Sequence, residues 1–210
     1  MHRYTKIFAP ILLIFILVLS ACSEAPKETA EKAKEPEKPA EPVTGRYAFQ
    51  QMFVSARGWA TDAQVLSVSS IRLPEVKSAA GKAGAWQAIF VSEGHRKQRM
   101  YTYSVIETAG NLHKGVFAGL EDTYSGPRGL AKPFPAVAVR TDTDDAYKTA
   151  LKHAAEYTKK NPDMPISFVL EQTPRFPDVA WRVIWGESVA SSNFSIYVDA
   201  STGEYLQTMR

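Results

Sequence analysis

The sequence predicts an α+β protein whose folded part is two tandem units, each with one helix packed on a three- to four-stranded antiparallel sheet. Three observations carry this reading. Residues 47–59 and 144–158 place apolar side chains at helical spacing, while the stretches that follow each of them alternate at strand spacing. The order of these stretches is the same in both regions. Ala85-Trp86-Gln87-Ala88-Ile89-Phe90 also lines up with Ala180-Trp181-Arg182-Val183-Ile184-Trp185, and Tyr101-Thr102-Tyr103-Ser104-Val105 with Phe194-Ser195-Ile196-Tyr197-Val198, two residues apart in spacing from the tryptophan.

The first unit spans 44–119. Phe49, Met52, Phe53, Ala56 and Trp59 form one side of its helix. Residues 65–71 read as a strand, and a loop over 72–84 containing Pro, Gly and Lys leads to strands at 85–91, 100–106 and 112–118. The segment 120–143 connects the units, because Gly126, Pro127, Gly129, Pro133 and Pro135 interrupt both periodicities. Within it, the apolar run 136–140 is expected as an edge strand.

The second unit spans 144–210. Asp144 or Asp145 is expected to cap a helix with Tyr147, Ala150, Leu151 and Ala154 on one stripe. Lys159 and Lys160 complement its negative end, and Asn161-Pro162 stops it. In strand 166–171, Ile166, Phe168 and Leu170 share a side. Residues 179–185 hold no turn former; Trp181, Val183 and Trp185 share one face, and Ala180, Arg182 and Ile184 the other. After strand 194–198, Asp199 can accept from the amides that follow and Gly203 can take φ > 0, so 204–208 returns as a hairpin partner.

This hairpin, with Val198, Asp199, Thr202, Gly203 and Glu204, resembles the end of PepSY-type modules, where a strand enters a V-D-x-x-T-G-E turn. The resemblance covers the last 65 residues or so. It implies a PepSY/cystatin-like unit with a helix across an antiparallel sheet, found in secreted or envelope proteins, some of which act on or near peptidases.

The N-terminus carries a different signal. Arg3 and Lys6 precede the apolar run 7–19, interrupted by Pro10, in the layout of a secretory signal over 1–21. It ends Leu19-Ser20-Ala21-Cys22, which resembles the bacterial lipoprotein lipobox. The resemblance implies diacylglycerol on the Cys22 thiol, cleavage before it and acylation, for instance with palmitate, of the new amine. Together these chains give stable membrane anchoring. Ser23 in the next position points to the outer membrane, facing the periplasm. Residues 23–43 hold ten Glu or Lys, four Pro and no aromatic residue, so 22–43 is expected to be a disordered spacer reaching roughly 60 Å.

Hydrophobic residues make up 45% of the chain and aromatics 11%, enough for a sizeable core. The net charge of +3 falls to about +1 once Arg3 and Lys6 leave with 1–21, which argues against a nucleic-acid partner. Cys22 is the only cysteine, so disulfides and thiolate metal sites are excluded. No phosphate-binding glycine loop, G-x-S-x-G elbow or H-E-x-x-H pair is present. His95, His113 and His153 are scattered, and Asp142, Asp144 and Asp145 sit where helix caps are expected. No enzyme, cofactor or metal is therefore predicted.

Two sets of side chains stand out. His95, Arg96, Lys97 and Arg99 form a basic hairpin tip that could meet lipid phosphates or an anionic glycan, or simply be solvated. Trp181, Arg182 and Trp185 form a candidate partner surface if their face is open, and core under the helix if it is not. The expected function is a protein- or peptide-binding module on the envelope. The alternatives are peptidase inhibition or regulation, suggested by the family resemblance, and small-ligand carriage, which a helix-over-sheet cavity lined by aromatics would favour.

Overall fold

Both alternating regions enter one sheet. The computed structural model describes residues 39–110, 112–127 and 131–210; the signal segment, Cys22 and the spacer as far as residue 38 lie outside them. After the short strand β1 (Val43–Thr44) come helix α1 (Gly45–Trp59), β2 (Gln64–Ile71), the short β3 (Lys82–Ala83), β4 (Ala85–Ser92), β5 (Lys97–Ser104) and β6 (Gly115–Thr123). Helix α2 (Thr143–Lys160), β7 (Ile166–Glu171), β8 (Ala180–Trp185), β9 (Phe194–Asp199) and β10 (Tyr205–Met209) follow. The sheet is antiparallel in the order β10-β9-β8-β7-β2-β4-β5-β6, and β1 pairs separately with β3. Two four-stranded meanders therefore meet where β2 pairs with β7, through Ser67–Glu171, Val68–Leu170 and Ser69–Val169. No division falls between 119 and 144: Lys38–Arg210 is one compact unit. None of the helices among the described residues is long and apolar enough to cross a membrane.

Both helices lie on the same face. Phe49 and Phe53 of α1 sit against Phe90 of β4, with ring centroids 6.1 and 6.0 Å apart. Tyr157 of α2 stacks on Phe194 of β9 at 4.1 Å. The sheet supplies most of the bulk: Trp86, Trp181 and Trp185 are almost wholly buried. The helices supply mainly small residues, Ala48 and Ala56 on α1 and Ala146, Ala150 and Ala154 on α2. Alanines four apart form a flat stripe on which indole rings can lie, which brings helix and sheet close.

The two halves use their first tryptophan in the same way. Trp86 Nε1 donates to the carbonyl of Val43 at 3.1 Å, and Trp181 Nε1 to that of Thr141 at 2.9 Å. Each acceptor is the residue before the helix cap, Thr44 for α1 and Asp142 for α2. Trp86 pairs with Tyr103, and Trp181 with Val198. Tyr103 thus stands where Val198 stands, which removes the two-residue offset that sequence matching introduced.

Some expectations need correction. Asp142, not Asp144 or Asp145, caps α2; its carboxylate accepts from Thr143 N at 2.7 Å, while Asp144 and Asp145 pair with Lys148. Residues 136–140 form no strand but a 3-10 turn at Ala136–Ala138. The edge strands are β6 and β10; this turn pairs with neither and instead docks on the β9–β10 corner, where the amides of Arg140 and Thr141 donate to Ala200 O. At that corner Asp199 Oδ1 accepts from Ser201 N and Thr202 N at 2.7 and 2.8 Å, and Gly203 has φ +78°, as the turn chemistry requires.

The N-termini of α1 and α2 meet above the middle of the sheet. Asp142 Oδ1 also accepts from Arg46 N at 2.9 Å, so one carboxylate serves both helices. The Thr143 hydroxyl accepts from Gly45 N at 2.8 Å and donates to Gly81 O at 2.6 Å. Since α1 has no acid in its own first turn, Asp142 supplies the negative charge its dipole favours. Asp142→Ala is expected to lower stability by about 2 kcal/mol, more than one ordinary cap, read as a lower urea midpoint at unchanged slope, with Asp142→Asn in between. Gly81→Ala should be worse still, because the added Cβ would lie 2.4 Å from Asp144 Cα and 2.5 Å from Thr143 O.

Candidate functional site

Because helices cover one face, the polarity of the other decides what it can do. On β8 the division is sharp. Trp181, Val183 and Trp185 point under α2 and are buried, at 0%, 0% and 2% exposure. The two tryptophans are therefore core, not a partner surface, and Arg182 alone of the candidate trio points to the opposite side. Register places Ser67, Ser69, Gln87, Ile89, Met100, Thr102, Val169 and Tyr197 on that side with it. Most of these are half-buried, and Met100 is 43% exposed. This strip is uncharged and mixed in polarity across β2, β4 and β5. Charge gathers on β7, β8 and β9.

There, Arg182 lies over the Tyr197 ring with its Cζ 5.5 Å from the centroid, and its Nε donates to Ser195 Oγ at 2.9 Å. The loop between β7 and β8 folds back onto the same ring. Arg175 places its Cζ 5.7 Å from the Tyr197 centroid and donates to Gln207 Oε1 at 3.3 Å, and Phe176 packs at 5.0 Å. Glu171, at the end of β7, completes the cluster. Burial pushes its carboxyl above the ordinary value, and the Arg182 guanidinium partly opposes the shift. The cluster holds one carboxylate, two guanidinium groups and the Tyr197 ring that both guanidinium groups approach. Hydrogen bonding, charge and cation–π contact thus meet at one place.

The remaining candidates stay apart. The basic tip is tied down: Asp62 accepts from Ser92 Oγ at 2.7 Å and Gly94 N at 3.0 Å, and these bonds hold its carboxyl below the usual value. His95 and Arg96 lie in the turn, whereas Lys97 and Arg99 belong to β5, and Arg99 Nε donates to Gly119 O at 2.7 Å. His113 contacts Glu107 Oε1 at 2.6 Å, and His153 stacks on Tyr205 at 3.8 Å. Among the described residues there is no group of three or more His, Cys, Asp or Glu arranged to hold a metal.

Sequence reasoning missed Glu171, Arg175 and Tyr197. They come from a strand end, a loop and the next strand but one, and only the β7–β8–β9 register brings them together. Alternation did signal that Arg182 and Tyr197 each face away from their buried neighbours.

No protein-family model, PepSY included, matches the sequence, and no curated protein matches it. Among solved structures, the chain is similar to a protein provisionally assigned as a lipoprotein from Clostridium difficile 630. The identity is 10% and the TM-score 0.47, over 82% of this chain and 95% of that one.

The raised Glu171 carboxyl has a pH signature. A folded-state value above the unfolded one favours the proton on folding, so its cost is absent below the ordinary carboxylate range and grows as pH rises through the folded value. Glu171→Gln should therefore gain stability relative to the parent between about pH 4 and about pH 7.5, measured by urea unfolding at both. Arg182→Ala should enlarge that gain.

Proposed function

We propose that this chain is a lipid-anchored envelope protein, held through Cys22 to the outer membrane facing the periplasm, and that it acts as a binding module for a protein or peptide. The anchor and location rest on the lipobox-like residues and on Ser23. The binding role is carried by one observation: both helices occupy a single face of the eight-stranded sheet, leaving the Ile89–Met100–Val169 part of the other face without a helix over it. Its mixed polarity, with arginine and tyrosine at one end, is the composition of protein contact surfaces.

A photo-crosslinking side chain placed at Met100 tests this against one at Val54, which is 74% exposed on α1. In envelope extract, the Met100 position should capture a specific polypeptide that the Val54 position does not, and Ile89→Arg should abolish the capture while the melting temperature holds. Equal capture from both faces, or none from Met100, would count against the open face as the binding surface.

A further inference from the structure

The helix-bearing side of the sheet holds a second feature, separate from the open face. A cavity of about 550 Å³ opens between residues 72–82, helix α2 and the turn that leads from α2 into β7. That volume falls within the range of small-molecule sites, about 300–1,000 Å³. One part of its lining is apolar. Phe168 and Ile166 of β7 contribute to it, and Tyr147 of α2 stands edge-on to Phe168, with ring centroids 6.4 Å apart and planes at 72°. Met164, 36% exposed, adds a flexible apolar side chain from the turn.

The facing wall is a rigid backbone edge. Ala79 and Lys82 exchange hydrogen bonds at 3.1 and 2.9 Å across a two-residue turn whose central residues, Ala80 and Gly81, both have positive φ. This is the geometry of a tight hairpin, and the Gly81–Thr143 bond fixes it to α2. The cavity is therefore preformed.

Charge around the lining is uneven. Arg72 is paired with Glu187 at 2.6 Å, and Asp163 is the one lining acid. Lys77 and Lys82 have no ion-pair partner among the described residues and leave the 72–82 side positive. The Tyr147 hydroxyl also lacks a hydrogen-bond partner among the described residues, and burial raises its pKa, so it remains a donor.

We propose that this cavity binds a small anionic amphiphile, with an aromatic or aliphatic body against Tyr147, Phe168 and Met164 and its anionic group at Lys77 and Lys82. Because the site lies on the opposite side of the sheet from Met100 and Ile89, it stands or falls separately from the binding role of the open face.

Fluorescence titration of residues 38–210, whose core is self-contained, with anilinonaphthalene sulfonate tests the assignment. Saturable single-site binding is expected. The double substitution Lys77→Ala/Lys82→Ala, at exposed positions, should weaken it by about tenfold. Met164→Trp, which fills the cavity, should abolish it at an unchanged melting temperature. Uncharged N-phenylnaphthylamine should be indifferent to the lysine substitutions. Absence of saturable binding, or sulfonate affinity untouched by both variants, would overturn the site. Binding lost in Met164→Trp but insensitive to the lysines would overturn its anionic character.

Discussion

Two helices whose N-termini converge on one face of a sheet bring two positive dipole ends together, and the rest of this fold depends on how that conflict is met. Asp142 accepts from both first turns, and Thr143 bridges Gly45 on one side and Gly81 on the other. The close approach needs a residue without a side chain: a Cβ on Gly45 would lie 2.6 Å from Thr143 Cγ2 and 2.9 Å from Trp86 Cη2. With the two N-termini pinned, α1 must run over β4 and β5, and α2 over β8 and β9. The meanders are thereby held as one sheet even though the strand ladder between β2 and β7 is short.

The same arrangement sorts the two faces by chemistry. Bulk needed under the helices is carried by indoles and phenyl rings on alternate strand positions, and the Nε1 donors of Trp86 and Trp181 are satisfied by carbonyls ahead of the helices. The other set of alternate positions is released from that duty and holds serine, glutamine, threonine and single aliphatic residues. An uncharged strip then grades into the Glu171–Arg182–Tyr197 cluster, where burial and guanidinium charge act on one carboxyl in opposite senses.

Much of the architecture was legible because it is local. Helical stripes, strand alternation and the Asp199–Gly203 turn each depend on a few neighbouring residues, and each sits where its chemistry places it. What was not legible depends on contacts distant in sequence. Alternation shows that Trp181 and Arg182 face opposite ways, but not which of the two directions is covered by a helix. Three acids stand at the start of α2, and the one that caps it is the one within reach of Arg46, 96 residues earlier. An apolar run at 136–140 reads as a strand until its docking on the β9–β10 corner, through Ala200 O, is known. The charged cluster and the cavity lining come from elements that sequence distance keeps apart.

The seam between Val43–Thr44 and Lys82–Ala83 sets where force can enter the domain. Ala40 packs beside Leu73, Val76 and Ala85, so the chain arrives at the middle of the molecule and not at either outer strand. A pull along it from the N-terminal side would load a two-residue ladder, the start of α1 and the backbone turn at Ala80 before any strand of the main sheet. Tension on the leading segment would then reach the cavity wall through the β1–β3 ladder, because Lys82 belongs to both.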